Sequence, residues 1–480
     1  MEKTIGIIGA GPAGLTAAYI LSKNGIKVDI FESSENVGGM AKTIKLWDQL
    51  VDLGPHRFFS QDPRVNKILF EVLENDYTVV NRMTRIYYNN FFFDYPLKPL
   101  NALKGLGFVE SIKCIISYFK SKLINLNYQN KKEKTFEDWV KNRFGKRLFE
   151  IFFKTYSEKL WGISCKELDS DFAAQRIKKL SLFEAIKSAL IKTKKNKHKT
   201  LVDAFVYPNL GTGMIYERMM KKIIENGGNI YLNEKIQAVN PVSDNGEQNA
   251  EIIFQNNSTK KYDKIISTMP ITNLVLSMKK IVSNEVIDCV KNLKFRNTIL
   301  VYLEIDKKKI FPDQWIYIHA QNLKTGRITN FSNWTPTINK NKNETILCLE
   351  YWANDNSNLW SENDKNLIDL ASNEIETTGL VEKNFIKRGN VIRIPKCYPI
   401  YSFGYRDKLK PVQKFIDKLE NIIVIGRYGS FKYNNQDHSI LMGILAAENI
   451  VYNKNHNLWN LNTDYEYQED GELDYQKTDS

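Results

Sequence analysis

The sequence predicts an α/β protein in which a domain with a parallel sheet is interrupted by a helical insertion and by an antiparallel sheet. Three observations lead to this prediction. A glycine-rich turn joins a strand to a helix near the amino terminus, residues 100–200 show helical apolar spacing, and residues 290–400 alternate apolar and polar side chains in several runs. A chain of 480 residues is long enough for two or three domains.

The amino-terminal turn is a dinucleotide-binding fingerprint in its full context. Residues 4–8 form a β-branched strand that runs into Gly9, Gly11 and Gly14, and a helix and a second strand ending at Glu32 follow. Gly9 allows the tight turn, Gly11 lets a pyrophosphate approach the backbone, and Gly14 lets the helix pack on the strand. The helix amino terminus favours phosphate, and Glu32 can accept a hydrogen bond from a ribose hydroxyl.

The segment after Glu32 indicates which cofactor binds. Gly38 and Gly39 extend the fingerprint in the pattern of two-dinucleotide-binding flavoproteins, which favours FAD over NAD. A second GxGxxG between a strand and a helix is not found, so a built-in NAD(P)H domain is not expected. The predicted fold is therefore a Rossmann-like FAD-binding domain of the GR2 type, with an inserted helical domain and an antiparallel β-sheet substrate domain. The predicted cofactor-binding residues are Gly9, Gly11, Ala13, Gly14, Glu32, Gly39, Met40, Gly426 and Arg427.

The FAD-binding domain is predicted to be discontinuous. We expect it to comprise residues 1–90, 201–285 and 410–455, with a helical insertion at 91–200, an antiparallel sheet substrate domain at 286–409 and an acidic tail at 456–480. One inserted helix should begin at Thr135 with a capping-box-like start that extends to Asp138. The strands of the sheet are expected at 298–305, 315–318, 328–331, 345–351 and 391–394.

Composition and charge limit the class of protein. The formal net charge of +13 fits a solvated lysine-rich surface or, alternatively, attraction to a nucleotide diphosphate or an anionic membrane face. The five cysteines are scattered without a CxxC pair, which argues against a disulfide framework, a metal site and a dithiol mechanism. The sequence shows neither a basic leader nor a long apolar span, so we expect a cytoplasmic protein. A nucleic-acid partner is not expected.

Two segments leave a choice between an ordinary role and contact with a membrane surface. The lysine run 192–199 is expected to be a solvated loop, with a membrane-surface patch as the alternative. The helix around residues 108–123 is expected to turn its apolar side to a core, with a position on a membrane as the alternative.

Polar and aromatic residues outside the fingerprint predict the reactive site. His56 lies between a Gly-Pro turn and two phenylalanines, where it can face the isoalloxazine ring. Arginine forks match phosphate oxygens, and aromatic rings near them suit a base and a sugar. For any single arginine a surface salt bridge is the alternative, and for any single ring core packing is. The arginines concerned are Arg85, Arg176, Arg327 and Arg427.

The segment 425–439 combines arginine, lysine, tyrosines, amides, an acid and a histidine beside an apolar strand. Core packing does not require this mixture, whereas a polar, anionic ligand does. We therefore expect the two ends of the chain to meet at one flavin.

With these motifs together, the sequence resembles UDP-galactopyranose mutases and their relatives in the FAD-dependent amine oxidase and protoporphyrinogen oxidase-like superfamily, over about residues 4–450. The resemblance rests on GxGxxG, on Gly-Pro-His-Arg-Phe-Phe at 54–59, and on Phe-Phe-Lys-Thr-Tyr-Ser-Glu-Lys-Leu-Trp at 152–161 followed by Arg176. It also rests on Trp-Ile-Tyr at 315–317, on Arg-Ile-Thr-Asn-Phe-Ser-Asn-Trp at 327–334, and on the Gly-Arg-x-Gly-Ser and Asn-Gln-Asp-His elements of 426–438.

The resemblance implies an isomerase that interconverts pyranose and furanose forms of a UDP-sugar, for cell-surface polysaccharide synthesis. In that family reduced FAD attacks the anomeric carbon through N5 and displaces UDP, and the flavin N5–sugar adduct allows ring opening and closure without net redox change. An external reductant such as NAD(P)H would then reduce the flavin. The implied catalytic residues are His56, Arg427 and Asn435. The implied substrate-binding residues are Tyr95, Tyr156, Trp161, Arg176, Trp315, Tyr317, Arg327, Tyr398 and Tyr433.

The sequence departs from the family pattern at sugar-contacting positions, so the sugar can differ from galactose. Pro55, Ser157 and Lys98 replace residues common in the family, and the spacing from Tyr433 to Asn435 is shorter than in the eukaryotic enzymes. The alternative function is an FAD-dependent oxidoreductase of the amine oxidase or protoporphyrinogen oxidase type, acting on an amine, a porphyrinogen-like molecule or a lipid. A flavin-binding scaffold without turnover is the third.

Overall fold

A computed structural model describes residues 3–127, 133–176, 204–244, 247–278, 280–339 and 342–461. The predicted loop 192–199 and the part of the predicted tail 456–480 that follows Leu461 lie outside these ranges. Within them, no helix combines the length and the apolar character needed to cross a membrane.

The strands in chain order are β1 (Thr4–Ile8), β2 (Lys27–Phe31), β3 (Thr43–Leu46), β4 (Gln49–Asp52), β5 (Tyr77–Asn81), β6 (Thr84–Tyr88), β7 (Phe91–Asp94), β8 (Ala204–Pro208), β9 (Asn229–Tyr231), β10 (Ile236–Asp244), β11 (Glu247–Phe254), β12 (Thr259–Tyr262), β13 (Lys264–Ser267), β14 (Phe295–Ile305), β15 (Trp315–Ile318), β16 (Arg327–Asn330), β17 (Thr345–Ala353), β18 (Ile386–Pro399) and β19 (Ile422–Val424).

The α-helices in chain order are α1 (Pro12–Lys23), α2 (Pro63–Leu73), α3 (Pro99–Asn127), α4 (Phe136–Phe144), α5 (Lys146–Leu148), α6 (Thr155–Trp161), α7 (Ser170–Arg176), α8 (Gly213–Glu225), α9 (Ile271–Ser277), α10 (Asn284–Lys291), α11 (Asn358–Ser361), α12 (Asp364–Thr377), α13 (Tyr405–Ile416), α14 (Gly426–Gly429) and α15 (Gln436–Val451). A π-helical turn, Phe149–Lys154, joins α5 to α6.

The chain divides into two compact units. The first unit comprises Met1–Thr78, Val206–Lys294 and Gly404–Asp464. We call it the flavin unit because it carries the amino-terminal fingerprint. The sheet unit comprises Val79–Phe205 and Phe295–Phe403. The helical segment and the antiparallel sheet therefore belong to the same unit, and the domain boundaries predicted from the sequence stay a prediction.

A five-stranded parallel sheet, in the order β19-β13-β1-β2-β9, forms the centre of the flavin unit. The strand, helix and second strand predicted for the fingerprint are confirmed as β1, α1 and β2. Ile7 on β1 pairs with Ile30 on one side and with Ile266 on the other. The three separate segments of the unit thus contribute strands to one sheet, with the amino-terminal strand in the middle.

Two glycines allow α1 to approach its neighbours closely. A Cβ atom at Gly14 would lie 2.0 Å from the carbonyl oxygen of Gly9, and one at Gly443 would lie 2.5 Å from the carbonyl oxygen of Ala13. Both distances are far below van der Waals contact, so any side chain would push α1 away from the glycine turn or from α15.

A seven-stranded sheet, in the order β18-β14-β17-β16-β15-β6-β7, forms the sheet unit. The predicted antiparallel sheet is confirmed, with one difference: β6, from earlier in the chain, pairs in parallel with β15. One face carries the core, in which β14, β16 and β17 contribute Val301, Ile328 and Leu349. Leu367 and Ala371 of α12 pack against this core.

The helices of the sheet unit confirm one prediction and correct another. Helix α4 begins with a capping box, because the hydroxyl of Thr135 accepts from the N–H of Asp138 at 3.2 Å and the Asp138 carboxylate accepts from the N–H of Thr135 at 3.3 Å. The expectation that the helix around 108–123 turns its apolar side to a core is wrong: Phe108, Ile116 and Phe119 of α3 are exposed. Periodicity identifies an apolar face but not what lies opposite it.

A buried arginine joins α6 to the sheet. Arg296 on β14 donates from Nε to the carbonyl of Leu160 at 3.1 Å and from Nη2 to the carbonyls of Lys159 and Trp352 at 3.1 and 2.9 Å. The bonds to Leu160 and Lys159 satisfy carbonyl groups at the carboxyl end of α6 that have no partner within the helix, and the bond to Trp352 joins the same guanidinium to β17. Burial lowers the pKa of Arg296 to about 10, so the group stays charged at neutral pH.

We predict that Arg296→Met lowers the free energy of unfolding by about 3 kcal/mol, because buried carbonyl groups lose a charged donor. Urea denaturation followed by tryptophan fluorescence measures the change. The control is Lys387→Met, which removes an exposed ion pair to Glu344 on the same sheet and should change stability by less than about 1 kcal/mol. Equal effects of the two substitutions would contradict the structural role of Arg296.

Candidate functional site

The glycine turn before α1 forms a backbone cradle. Gly9 has a φ of +96°, and no side chain caps the helix that begins after Gly11. The N–H of Gly38 donates to the carbonyl of Ala10 at 2.8 Å, and a Cβ atom on Gly39 would lie 3.1 Å from the Cα of Gly11. Two glycine loops therefore meet at the start of α1, where uncapped N–H groups favour an anion.

Glu32 is hydrogen-bonded to the turn that forms this cradle. One carboxylate oxygen accepts from the N–H of Ala10 at 2.9 Å, and the other accepts from the N–H and the hydroxyl of Ser34 at 2.9 and 2.8 Å. The carboxylate is buried and fixed at the end of β2. A fixed acceptor at this position is what a ribose hydroxyl requires.

The turn at the end of β19 brings the two ends of the chain together. Gly426 has a φ of +82°, and a Cβ atom there would lie 3.2 Å from the Cβ of Ala13. The expected meeting of the amino-terminal fingerprint and the carboxyl-terminal motif is confirmed by this contact.

Arg427 follows in the same turn and has several partners. Its Nε and Nη2 donate to the carbonyl of Asn434 at 2.8 and 2.5 Å, and its Nη1 lies 4.0 Å from the sulfur of Met40. The guanidinium carbon lies 5.1 Å from the centre of the Tyr433 ring. The predicted residues Met40, Arg427 and Tyr433 are thus brought together. Further along the same motif, the N–H of Asn435 donates to Nδ1 of His438 at 3.3 Å.

Gln436 is hydrogen-bonded to the backbone of the loop that carries His56. Nδ1 of His56 lies 3.0 Å from the carbonyl oxygen of Gly54. The amide of Gln436 donates to the carbonyls of His56 and Arg57 at 3.3 and 3.2 Å. Its oxygen accepts from the hydroxyl of Tyr216 at 2.9 Å. Gln436 therefore positions the His56 loop, a role that the sequence analysis did not assign.

Asp52 lies in the same buried network. Its carboxylate accepts from the hydroxyls of Thr43 and Tyr207 at 2.6 Å each and from the N–H of Thr212 at 3.1 Å. Complete burial raises the pKa of Asp52 to about 7, although the three hydrogen bonds oppose the rise. The hydroxyl of Thr212 in turn donates to Gln436 at 3.1 Å.

A second group of predicted residues comes together in the sheet unit. The rings of Tyr95 and Tyr156 lie 5.5 and 5.6 Å from the ring of Tyr317, both edge to face. Tyr156 also stacks on His319, with 4.8 Å between ring centres and 18° between planes. Burial, and to a smaller extent the nearby charge of Lys159, lowers the pKa of His319 to about 3, so this imidazole is neutral at physiological pH.

Arg327 lies beside these rings in a buried ion pair. It faces Tyr317 across the β15–β16 pair and Glu350 across the β16–β17 pair. Its Nε and Nη2 donate to the two oxygens of Glu350 at 2.7 and 2.6 Å. Burial disfavours the charge of Arg327, but Glu350 outweighs burial and raises the pKa of the guanidinium, to which the hydroxyls of Tyr398 and Tyr156 also contribute. We call Tyr156, Tyr317, Arg327, Glu350 and Tyr398 the tyrosine–arginine cluster.

Other predicted substrate residues have different surroundings. Trp161 and Trp315 are buried, the first 6.1 Å from the Tyr398 ring and the second 5.6 Å from the Trp334 ring. Arg176 ends α7, and its side chain lies outside the described part of the structure. Arg85 makes a bidentate ion pair with Asp313 through Nε at 2.9 Å and Nη2 at 2.6 Å. For Arg85 the salt-bridge alternative therefore holds.

The family of flavin containing amine oxidoreductases matches residues 12–451. The chain belongs to this family. L-amino-acid oxidase from Crotalus adamanteus is 30% identical over an alignment of 135 positions that covers 25% of this chain and 26% of the oxidase, so the chain spans about a quarter of that relative. Coproporphyrinogen III oxidase from Staphylococcus aureus is 21% identical over an alignment of 485 positions that covers 94% of this chain and 99% of that enzyme.

Among solved structures, reduced UDP-galactopyranose mutase has the same fold, with a TM-score of 0.82 at 21% identity over 95% of each chain. The predicted α/β flavoprotein fold is therefore confirmed. FAD is the cofactor of this flavoenzyme, and the cradle fits it: the uncapped start of α1 suits the pyrophosphate and Glu32 suits the ribose. The assignment of individual residues to FAD or to substrate stays a prediction.

Sequence reasoning missed three residues of these sites. Glu350 lies on β17 and His319 directly follows β15 in the seven-stranded sheet, so their roles depend on which strands pair. Gln436 lies within the quoted Asn-Gln-Asp-His element, whose position at the start of α15 is the signal that could have identified it.

The flavoenzyme's cradle can be tested with two alanine substitutions. A Cβ atom at Gly11 would lie no closer than 3.8 Å to any other group, whereas one at Gly14 would overlap the backbone. We therefore expect Gly11→Ala to fold with an unchanged melting temperature for the FAD-free protein but to bind FAD about tenfold more weakly. Gly14→Ala should lower the melting temperature as well. Full FAD content in Gly11→Ala would show that the pyrophosphate does not pass this glycine.

The buried acid gives this flavoenzyme a pH-dependent stability. Because the pKa of Asp52 is higher in the folded than in the unfolded chain, its contribution to stability is complete below about pH 4 and is lost as the pH rises to about 7. We expect the free energy of unfolding of the wild type, minus that of Asp52→Asn, to fall by about 4 kcal/mol over this interval. Urea denaturation at a series of pH values measures the difference, and a flat or rising difference would contradict the assignment.

Proposed function

We propose that the chain is an FAD-dependent isomerase that interconverts the pyranose and furanose forms of a UDP-sugar, in the synthesis of cell-surface polysaccharide. The observation that carries the proposal is the tyrosine–arginine cluster, in which Glu350 orients the guanidinium of Arg327 opposite Tyr317, whose ring contacts that of Tyr156. The fold shared with UDP-galactopyranose mutase supports it.

The ion pair to Glu350 orients Arg327 for a ligand. Glu350 engages Nε and Nη2, which fixes the plane of the guanidinium and leaves Nη1 for a phosphate oxygen. A fork that is already oriented loses little rotamer freedom when a ligand binds. Arg327 is therefore a positioned donor.

The tyrosines complete the proposed diphosphate site. Tyr317 faces Arg327 on the neighbouring strand, and the Tyr156 ring lies 5.6 Å from the Tyr317 ring. Phenol hydroxyls donate to phosphate oxygens without adding charge, and their rings offer faces for a base or a sugar. His319 keeps the Tyr156 ring in a fixed plane by stacking.

These residues support a reaction in which the diphosphate leaves and returns. Reduced FAD, when bound, would supply the nucleophile at the anomeric carbon. Arg327 and the tyrosine hydroxyls would stabilise the charge that grows on the leaving diphosphate and would keep UDP in place while the sugar ring changes. In the flavin unit, Gln436 would hold the His56 loop in position through its bonds to the loop carbonyls.

A second candidate is an oxidoreductase that acts on a substrate with a carboxylate. The family and the full-length likeness to coproporphyrinogen III oxidase favour it. Nη1 of Arg327 fits a carboxylate oxygen as well as a phosphate oxygen. The tyrosine rings beside Arg327 favour the nucleotide, because they offer faces for a base or a sugar.

UDP binding tests the site without requiring turnover. We expect Tyr317→Phe to bind UDP about five- to tenfold more weakly than the wild type, because one hydrogen bond to phosphate is lost, and Arg327→Lys to lose more. Titration calorimetry on the FAD-loaded protein measures the affinity. Tyr452→Phe is the matched control, since this exposed tyrosine lies in the flavin unit at the end of α15. Unchanged UDP affinity in both cluster variants would refute the site.

Turnover tests the reaction itself. The dithionite-reduced protein should convert UDP-galactopyranose, or a related UDP-sugar, to a furanose that chromatography separates, and the oxidised protein should not. Consumption of oxygen with an amino acid or a porphyrinogen, without UDP binding, would support the oxidoreductase instead.

A further inference from the structure

Helix α3 exposes an unusual amount of apolar side chain. Of the eighteen large apolar side chains that are exposed among the described residues, nine lie on this helix. Phe108 is 73% exposed and Ile116 is 61% exposed. Scattered apolar side chains are normal on a protein surface, but a concentration on one element marks a contact site.

These side chains form one stripe. Gly107 has non-helical angles, so the helix restarts at Phe108. At 100° per residue, the exposed apolar side chains from there to Leu123 fall within an arc of about 120°. We call this set the α3 stripe; it consists of Phe108, Val109, Ile112, Ile115, Ile116, Phe119 and Leu123.

The opposite side of α3 is held by the sheet unit. Cys114 is buried, and the hydroxyl of Ser117 accepts from the N–H of Arg147 at 3.0 Å. Glu110 forms an ion pair with Arg147 and lies 3.7 Å from Lys113. The helix therefore cannot turn its stripe inward without breaking these contacts.

Exposed lysines border the stripe on both sides. By the same helical angle, Lys120 and Lys113 lie about 20° and 40° beyond one edge, and Lys122 lies about 20° beyond the other. Glu110 is the acidic residue of the helix, and Arg147 engages it. The border of the stripe is thus positively charged.

We propose that the α3 stripe docks on the surface of an anionic lipid bilayer. The helix would lie in the plane of the membrane, with the apolar stripe at the boundary of headgroups and acyl chains and the lysines at the lipid phosphates. A second copy of this chain fits less well, because pairing two stripes would bring lysines together without free carboxylates to match them. This inference does not depend on the proposed reaction.

Vesicle flotation tests the proposal on the FAD-loaded protein. We expect binding to vesicles of phosphatidylcholine with phosphatidylglycerol, weaker binding at high salt, and little binding to phosphatidylcholine alone. Replacing Lys113, Lys120 and Lys122 by glutamine should lower the partition coefficient about fivefold per lysine. Phe108→Ser combined with Ile116→Ser and Phe119→Ser should lower it at least tenfold.

The matched control is Ile224→Ser combined with Ile281→Ser, which removes exposed apolar side chains from the flavin unit and should leave vesicle binding unchanged. Flavin absorbance and melting temperature confirm that each variant folds. Failure of the folded wild type to bind the anionic vesicles would overturn the proposal. So would a dimer in sedimentation velocity that the serine variant dissociates, since a second copy would then occupy the stripe.

Discussion

The close approach of α1 to the glycine turn and to α15 is the constraint on which the flavin unit depends. Gly14 and Gly443 make this close approach possible, because a single extra carbon at either position would overlap a backbone carbonyl. Because β1 is the middle strand of the parallel sheet, the segments that carry β13 and β19 join the fold on one side of it and those that carry β2 and β9 on the other. The amino-terminal fingerprint is therefore both the predicted phosphate cradle and the centre of the sheet, so packing and the predicted cofactor contacts constrain the same few glycines.

The same constraint explains the carboxyl-terminal motif. Gly426 can contact Ala13 only because the turn after β19 ends beside the start of α1. Gln436, at the first position of α15, then reaches the carbonyls of the His56 loop. Three segments far apart in sequence are thereby held relative to each other by backbone contacts and one amide. Such contacts are insensitive to salt, and they hold a loop in place better than surface charges do.

Much of this arrangement could be predicted from local signals, and the remainder could not for a physical reason. The fingerprint, the capping box at Thr135 and the strand runs depend on residues a few positions apart. Glu350 lies 23 positions from Arg327, and their contact depends on the register of β16 and β17. Alternation shows which face a strand residue occupies but does not determine its cross-strand partner. The α3 stripe was misjudged for a related reason, since the period of a helix does not reveal whether anything covers its apolar side.

The buried pair of Arg327 and Glu350 is difficult to explain by stability alone. Removing two charges from water is unfavourable by several kcal/mol per ion, and replacing a buried pair by apolar residues is often neutral or stabilising. A charged pair beside the rings of Tyr317 and Tyr156 therefore suggests a role in binding. Since Glu350 balances the charge of Arg327, the cluster would attract an anion through oriented donors more than through net charge. In the proposed reaction, a site of that kind would suit a diphosphate that leaves the sugar and returns to it, because its donors would hold UDP in place without opposing its departure from the sugar.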